Sequence, residues 1–260
     1  MSQKLLLVEN LTRKFGGLVA LRNLTFSVDR GEIVGLIGPN GAGKTTAFNV
    51  ITGTMPPSSG SVLFDGQNIS GGPPSHVVVA GLARTFQSTS TYPTASVAEN
   101  VYRGMLSRVS GSAVGWLVGR RDGMLAPSQI DAEINKILHI TDLTSWRNTP
   151  AGSMPYGLQK KLGIAVALAT RPRMLLLDEP AAGLNHEECN DLARLLRRLR
   201  DEQDLTLLLV EHHMALVMEL CQRIIVLVQG EKIAEGAPED IRSNAAVIEA
   251  YLGAPDYAHA

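Results

Sequence analysis

The 260-residue chain has little of what marks secreted, metal-clustered or membrane-spanning proteins. It contains two cysteines, Cys189 and Cys221, whose separation does not suit a metal site, so we interpret both as reduced structural thiols of a cytoplasmic protein. No apolar run approaches the ~18 residues that span a bilayer. The apolar part of the N-terminus is too short for a signal peptide. We therefore expect a soluble chain that reaches a membrane only through a partner.

The numbers of acidic and basic residues are also nearly balanced. The net charge is −1, and like charges form no long block. We interpret the basic residues between Arg194 and Arg200 as the solvated face of an amphipathic helix rather than a nucleic-acid patch. The sequence has neither heptad runs nor internal repeats. These features predict that nucleic acid is not a partner.

The chain does contain a regular succession of short apolar segments and helical patterns. Apolar residues make up 45%, which supports a sizeable core. The segments EIVGLIG, RMLLLDE, LTLLLVE and RIIVLV are nearly continuously apolar, which is typical of buried parallel strands. LLLVEN and GSVLFDG predict further strands, and the alternation in LTFSV is that of an antiparallel strand. Asn185 and Glu188 form a plausible capping box. Helices are expected at residues 44–53, 130–140, 186–202 and 213–221.

The strongest chemical motif is GPNGAGKTT, residues 38–46, which fits G-x-x-x-x-G-K-[ST] between a predicted strand and a predicted helix. Its glycines let successive backbone N–H groups wrap a phosphate, and the helix N-terminus adds a positive dipole. Lys44 is expected to reach the β- and γ-phosphates of a nucleotide, and Thr45 to supply a hydroxyl to Mg²⁺. The predicted nucleotide-binding residues of this loop are Gly38, Pro39, Asn40, Gly41, Ala42, Gly43, Lys44, Thr45 and Thr46.

Two adjacent carboxylates, Asp178 and Glu179, end the apolar segment MLLL. Burying an unpaired charge is costly, so these residues need a cationic partner or a chemical task. In an open parallel sheet the carboxyl ends of the strands share one rim, which would bring both residues to the phosphate loop. We predict that Asp178 serves Mg²⁺ through water and that Glu179 polarises the attacking water.

Many classes of protein combine a phosphate loop with acidic residues at the end of a neighbouring strand, and a further region distinguishes among them. SMPYGLQKKLGIAVALATRPRMLLLDEP resembles the signature region of ATP-binding-cassette (ABC) ATPases, and the resemblance covers nearly the whole chain. ARTFQ, YGLQKK, DEPAAGLN, VEHHM and VIEAYLG are most similar to the ATPase subunits of branched-chain (hydrophobic) amino-acid uptake transporters. The longer of that system's two ATPases is the better match.

The resemblance implies roles for residues beyond the phosphate loop. Phe15 matches the aromatic residue that stacks on adenine, Gln87 the glutamine loop, and His212 the switch histidine. We choose His212 over His213 because it directly follows the strand LLLVE. The implied catalytic residues are Glu179, His212 and Gln87, and the implied metal-side residues are Thr45, Gln87 and Asp178.

The resemblance also implies two subunits that sandwich two ATP molecules head to tail, each presenting its signature helix to the other's phosphate loop. Pro155 stands where the family usually has a serine, and it offers no N–H. Asn185 stands where an aspartate is usual. We interpret both departures as markers of the amino-acid importer branch. The residues implied to act in trans are Tyr156, Gly157, Leu158 and Gln159.

The predicted function is the ATP-hydrolysing motor of a membrane ABC importer, with ATP and Mg²⁺ as cofactors, for branched-chain or other hydrophobic amino acids. The implied partners are integral-membrane permease subunits, a second ABC ATPase subunit and, indirectly, a solute-binding protein. The implied location is the cytoplasmic face of the inner membrane. Urea or amide uptake and lipid export remain alternatives. A non-transport ABC ATPase acting on DNA or ribosomes usually has tandem cassettes or a long coiled coil, and a small-molecule kinase would not need the signature helix.

The expected fold is α/β, of the P-loop NTPase class: a RecA-like parallel sheet core with an N-terminal antiparallel β subdomain and an inserted helical subdomain. We predict a single ABC ATPase domain over residues 1–260. Its nucleotide-binding core, with the β subdomain, would cover residues 1–87 and 172–260. The helical subdomain with the signature motif would cover residues 88–171.

The insert is also the predicted docking surface for the permease. The stretch STSTYPTASVAENVYRGM begins polar and becomes helical at about Ser96. Tyr92, Pro93, Val97 and Tyr102 are expected to form an apolar floor that receives a short helix from the permease.

Overall fold

The computed structural model describes residues 3–85, 91–106 and 126–252. Contacts divide the chain into two compact units. The first unit comprises Met1–Arg84 and Arg173–Ala260, and the second comprises Thr85–Pro172. None of the helices within the described ranges combines the length and the apolar character needed to cross a membrane.

Within the described residues the larger sheet has six strands, and its centre is parallel. Its strands are β3 (Ile33–Ile37), β6 (Leu82–Thr85), β7 (Met174–Asp178), β8 (Thr206–Val210), β9 (Arg223–Val228) and β10 (Glu231–Gly236). The order across the sheet is β10-β9-β3-β8-β7-β6. Strand β3 pairs parallel with β8 and β9, and β7 pairs parallel with β8, whereas β10 runs antiparallel to β9. Every residue of β3, β7 and β8 is buried, as their uninterrupted apolar sequences predict.

The smaller sheet is antiparallel and has the order β2-β1-β4-β5. Its strands are β1 (Lys4–Phe15), β2 (Leu18–Asp29), β4 (Ser59–Phe64) and β5 (Gln67–Asn68). Leu24, Phe26 and Val28 are buried on one face of β2. The antiparallel strand predicted from their alternation is therefore confirmed.

The α-helices of the described residues are α1 (Lys44–Ile51), α2 (Pro74–Val79), α3 (Val97–Leu106), α4 (Pro127–Ile140), α5 (Tyr156–Leu168), α6 (His186–Gln203), α7 (Met214–Leu220), α8 (Pro238–Ser243) and α9 (Ala245–Leu252). The predicted capping box begins α6. Asn185 Oδ1 accepts from the Glu188 N–H at 3.0 Å, and Glu188 Oε2 accepts from the Asn185 N–H at 2.9 Å. The predicted helices at 44–53, 130–140, 186–202 and 213–221 are confirmed within two or three residues, the usual uncertainty at helix ends.

The second unit is built on helices α3, α4 and α5 around its own apolar core. Helices α3 and α5 approach so closely at Gly104 that a Cβ there would lie 2.4 Å from the Val166 carbonyl oxygen. Val97 is completely buried in this core, as are Val101 and Leu138. The prediction that Val97 belongs to an exposed docking floor is therefore wrong. Residues 107–125, which follow α3, lie outside the described residues.

Candidate active site

A cavity of about 740 Å³ in the first unit contains most of the predicted site residues. It lies where β3, β7 and β8 end and the loops that follow them begin. The expectation that these strand ends share a rim agrees with this arrangement. Among the residues that line it are Phe15, Asn40, Gly41, Ala42, Gly43, Lys44, Thr45, Thr46, Glu179 and His212.

The loop after β3 has a shape that only glycine permits. Gly38 and Gly43 have φ values of +154° and +101°. A Cβ would lie 2.0 Å from the Leu227 carbonyl oxygen at Gly38, and 2.6 Å from the Ala20 carbonyl oxygen at Gly43. These contacts are far below van der Waals separation. Glycine is therefore needed at both positions because it has no side chain, and also because it readily adopts a positive φ.

Lys44 is bound to its own loop. Its Nζ donates to the carbonyl oxygens of Gly38 at 2.7 Å and Pro39 at 2.9 Å, and the residue is 6% exposed. Burial lowers the pKa of Lys44, while the nearby carboxylates of Glu179 and Asp178 act in the opposite direction. The cation that is predicted to meet phosphate therefore also holds the loop together.

The cationic partner that Asp178 requires is Arg84, at the end of β6. Arg84 Nη2 lies 2.6 Å from Asp178 Oδ2, and the two side chains are 7% and 6% exposed. Arg84 Nη1 donates to Asn49 Oδ1 at 2.7 Å, which orients the guanidinium. Removing one partner of a buried pair of this kind strongly destabilises the folded protein. Sequence reasoning called for a cation but did not identify Arg84, because the pairing arises only from the neighbouring positions of β6 and β7.

Glu179 and His212 form a pair at the edge of the cavity. His212 Nε2 lies 3.0 Å from Glu179 Oε1. Glu179 has a left-handed backbone, with φ +48°, and its N–H donates to the Val210 carbonyl oxygen at 2.9 Å. The chain thus turns directly after β7, so that the Glu179 side chain lines the cavity while Asp178 is buried beside Arg84.

The adjacent histidines have different surroundings, and this predicts different effects of mutation. His213 Nδ1 accepts from the Leu216 N–H at 3.3 Å and caps α7, whereas His212 contacts Glu179. We expect His212→Ala to reduce ATP hydrolysis far more than His213→Ala. Loss of a helix cap should instead cost about 1 kcal/mol of stability. Steady-state ATPase assays and thermal unfolding of both variants test this, and the reverse order of activities would refute the choice of His212.

The remaining predicted residues are placed as follows. Phe15 is 41% exposed, and the Arg13 guanidinium lies 4.6 Å from its ring centroid. Gln87 lies outside the described residues. In the second unit α5 begins at Tyr156, after Pro155 at the N-cap position. Gln159 Nε2 donates to the Met154 carbonyl oxygen at 2.8 Å, which links the first turn of α5 to the residue before its N-cap.

Both cysteines are buried and free. Burial, followed by the charge of Glu211, raises the pKa of Cys221 to about 12. Burial, followed by the charges of Glu211 and Glu188, raises the pKa of Cys189. Thiols with raised pKa values are poor nucleophiles, which agrees with a structural role.

Comparison with known proteins decides the family. The model of the ABC transporter family matches residues 21–182, more than half of the chain. The chain belongs to the ABC transporter family. A second family model, for the branched-chain amino acid ATP-binding cassette transporter, matches residues 231–257 of this ABC cassette. The family confirms the predicted P-loop NTPase fold class, ATP binding and ATPase activity.

The similarity of this ABC cassette to its relatives covers nearly its whole length. The high-affinity branched-chain amino acid transport ATP-binding protein BraF of Pseudomonas aeruginosa is 40% identical over 260 residues, covering 97% of this chain and 99% of the relative. LivG of Escherichia coli K12, which carries the same description, is 40% identical over 253 residues with the same coverage.

Solved structures of ABC cassettes have the same fold. The ADP conformation of MJ1267, an ATP-binding cassette of an ABC transporter, superposes with a TM-score of 0.85 at 30% identity, covering 97% of this chain and 100% of that one. The dimeric post-hydrolysis state of the cassette MJ0796, bound to ADP and Pi, gives a TM-score of 0.73 at 25% identity, covering 90% and 98%.

Proposed function

We propose that this chain is the ATP-hydrolysing motor subunit of an importer for branched-chain or other hydrophobic amino acids. The observation that carries the motor function is the cavity in which the phosphate loop with Lys44 faces the Glu179–His212 pair. The substrate class is supported by the 40% identity, over nearly the full chain, to ATP-binding proteins of branched-chain amino acid transport.

In the proposed reaction the loop and Lys44 bind the phosphates of ATP, and Phe15 stacks on the adenine. Glu179 accepts the proton of the attacking water, because its carboxylate lines the cavity that holds the phosphates. His212, 3.0 Å from Glu179 Oε1, fixes the orientation of that carboxylate. We assign Gln87 to the same region on the family resemblance alone.

The oxygen atoms of this site fit a magnesium ion. The Thr45 hydroxyl and the Glu179 carboxylate line the cavity, and Asp178 precedes Glu179 at the end of β7. Hydroxyl and carboxylate oxygens are the donors that Mg²⁺ prefers, and the ion binds through few protein ligands, together with water and substrate phosphates. Thr45 would hold it directly, and Asp178, whose Oδ2 is paired with Arg84, would act through water. Gln87 is assigned to it on the family resemblance alone. Mg²⁺ would neutralise charge that develops on the transferred phosphate.

We further propose that two such subunits, identical or different, close around ATP. The N-terminus of α5, with Tyr156 and Gly157 in its first turn, would contact the γ-phosphate bound to the other subunit. Leu158 and Gln159 belong to the same segment. Because Pro155 supplies neither a hydroxyl nor an N–H, this contact relies on the backbone of the first turn and on the helix dipole.

The second unit, the proposed helical subdomain of residues 88–171, has an exposed aromatic surface suited to a permease. Tyr92 is 55% exposed and Tyr102 38% exposed, and the Arg103 guanidinium lies 4.0 Å from the Tyr92 ring centroid. Buried Asn100 holds the loop that carries Tyr92, since its side chain accepts from the Tyr92 N–H at 2.7 Å and donates to the Ala95 carbonyl oxygen at 3.2 Å. An exposed aromatic surface whose loop is held by hydrogen bonds in this way is suited to receiving a helix.

Docking would place the chain on the cytoplasmic face of the inner membrane. The permease subunits would connect it to a solute-binding protein. Residues 1–87 and 172–260 would act as the nucleotide-binding core, in which ATP hydrolysis drives the movement of the transporter.

The test is reconstitution with the permeases and solute-binding protein of the same system in proteoliposomes. We expect ATP-dependent leucine uptake, and uptake of urea but not of leucine would overturn the substrate class.

Cysteines introduced at Tyr92 and Tyr102, in a version lacking Cys189 and Cys221, should crosslink to a permease, and the pattern should change with ATP and vanadate. Lys136→Cys, at an exposed position of helix α4, is the matched control. A transporting complex without crosslinks at the two tyrosine positions would move the docking surface elsewhere.

A further inference from the structure

Glu211 is a buried carboxylate between the two loops that carry the catalytic pair. It follows β8 directly and is 2% exposed. In the parallel register Asp178 of β7 lies opposite Val210 of β8, so the residues after these two strand ends are neighbours. Glu211 does not line the nucleotide cavity, and it makes no ion pair with a cation among the described residues.

Both oxygens of Glu211 accept backbone hydrogen bonds, and each oxygen serves a different loop. Oε1 accepts from the Ala181 N–H at 2.6 Å, in the loop that begins at Glu179. Oε2 accepts from the N–H groups of His212 at 3.0 Å and His213 at 3.3 Å. A single carboxylate therefore ties the loop of the proposed general base to the loop of its histidine partner.

The buried carboxylate of Glu211 requires hydrogen-bond donors, and the backbone N–H groups supply them. An isolated ionised carboxylate in a protein interior is very costly, and hydrogen bonds from N–H groups offset that cost. Because these donors belong to two loops, the favourable arrangement of Glu211 exists only when the loops have one relative position. In that position His212 Nε2 lies 3.0 Å from Glu179 Oε1.

We propose that Glu211 is a positioning residue for ATP hydrolysis, setting the separation of Glu179 and His212 by clamping the backbone of both loops. The inference rests on the proposed roles of those two residues. Glu211 contacts neither nucleotide nor water in this role. Its loss should therefore reduce the rate of the chemical step while the affinity for ATP stays unchanged.

The first variant is Glu211→Gln in the full-length chain. The amide can keep one oxygen on Ala181 but turns an NH₂ group toward the N–H groups of His212 and His213, so one loop is released. We expect kcat for ATP hydrolysis to fall by about 10- to 100-fold, the effect of roughly 1 Å of misplacement. The dissociation constant of ATP should stay within about twofold of that of the unaltered chain. Glu202→Gln, the same chemical change at an exposed position of α6, is the matched control and should leave both quantities unchanged.

A double-mutant cycle with His212→Ala separates positioning from general destabilisation. If Glu211 acts by holding His212 against Glu179, the double variant Glu211→Gln/His212→Ala should hydrolyse ATP no more slowly than His212→Ala alone. Multiplicative losses, an unchanged kcat for Glu211→Gln, or an equal loss of ATP affinity would each overturn the proposal.

A second variant keeps the test decisive if Glu211→Gln does not fold. Glu211→Asp retains the charge, but its carboxylate is one methylene shorter and cannot reach both loops, so the same fall in kcat at unchanged affinity is expected. Failure of both variants to fold would identify Glu211 as a residue needed for folding and would overturn the proposal. Normal hydrolysis by His212→Ala and by Glu179→Gln would contradict the proposed catalytic roles themselves. Impaired hydrolysis in those two variants with normal hydrolysis in the Glu211 variants would contradict only the role of Glu211.

Discussion

Glu179→Gln should abolish nearly all ATP turnover while leaving ATP binding intact. The amide has almost the shape of the carboxylate and can still receive a hydrogen bond from His212, but it cannot accept the proton of the attacking water. General-base catalysis contributes about 10²–10⁴-fold, and we expect kcat to fall by that factor. The measurement is phosphate release at saturating ATP and Mg²⁺, together with an equilibrium titration of ATP.

If two subunits close around ATP as proposed, the same variant should accumulate the closed dimer, because the bound ATP that favours closure would no longer be hydrolysed. Size-exclusion chromatography with ATP should show a dimer that the unaltered chain does not retain. Glu187→Gln, an identical change on the exposed first turn of α6, is the matched control and should behave as the unaltered chain does. Phosphate release near the normal rate by Glu179→Gln would exclude Glu179 as the base.

The elements that position this site could be predicted because their sequence patterns are local. Uninterrupted apolar segments mark β3, β7 and β8, and the motif from Gly38 to Thr46 lies between a strand and a helix. The common rim of a parallel sheet then brings Glu179 and His212 to Lys44 without any knowledge of distant contacts. Each step depends on residues close together in sequence, or on a rule of fold geometry.

The contacts that could not be predicted join residues far apart in sequence. Arg84 precedes its partner Asp178 by 94 residues, and the pair exists because β6 is next to β7 in the sheet. Glu211 and Ala181 are 30 residues apart and meet only because two strand-end loops are adjacent. The strand order across the sheet, which would have indicated both contacts, was not among the sequence-based predictions.

The error at Val97 has a different cause, because its signal was present in the sequence. Val97, Val101 and Met105 recur every four residues in α3, and all three are buried. Tyr102 and Leu106 follow the last two of these positions and are exposed. Helical periodicity applied to the whole segment would have separated the core face from the aromatic surface.

Lys44→Ala should remove tight ATP binding. Lys44 is the only side-chain cation in the loop of residues 38–46, and its buried ammonium group would meet the β- and γ-phosphates. A hydrogen bond to a charged group is worth about 1.5–3 kcal/mol, so the loss of one such contact weakens ATP binding by about 10- to 150-fold. The larger value is expected here, because the variant also loses the hydrogen bonds from Nζ to Gly38 and Pro39 that hold the loop in its shape. A fluorescent ATP analogue, titrated with and without Mg²⁺, gives the affinity directly.

The control for Lys44→Ala is Lys14→Ala, which removes the same charge from an exposed position on β1 outside the cavity lining. It should leave the affinity for ATP within about twofold, since screened surface charges contribute little. Lys44→Arg separates charge from shape: it keeps a cation, but a planar guanidinium cannot reproduce the two short bonds of Nζ to adjacent carbonyl oxygens in so confined a site. We therefore expect Lys44→Arg to bind ATP more weakly than the unaltered chain and more tightly than Lys44→Ala. Equal affinities of the alanine variant and the unaltered chain would show that the backbone of the loop binds phosphate without this cation.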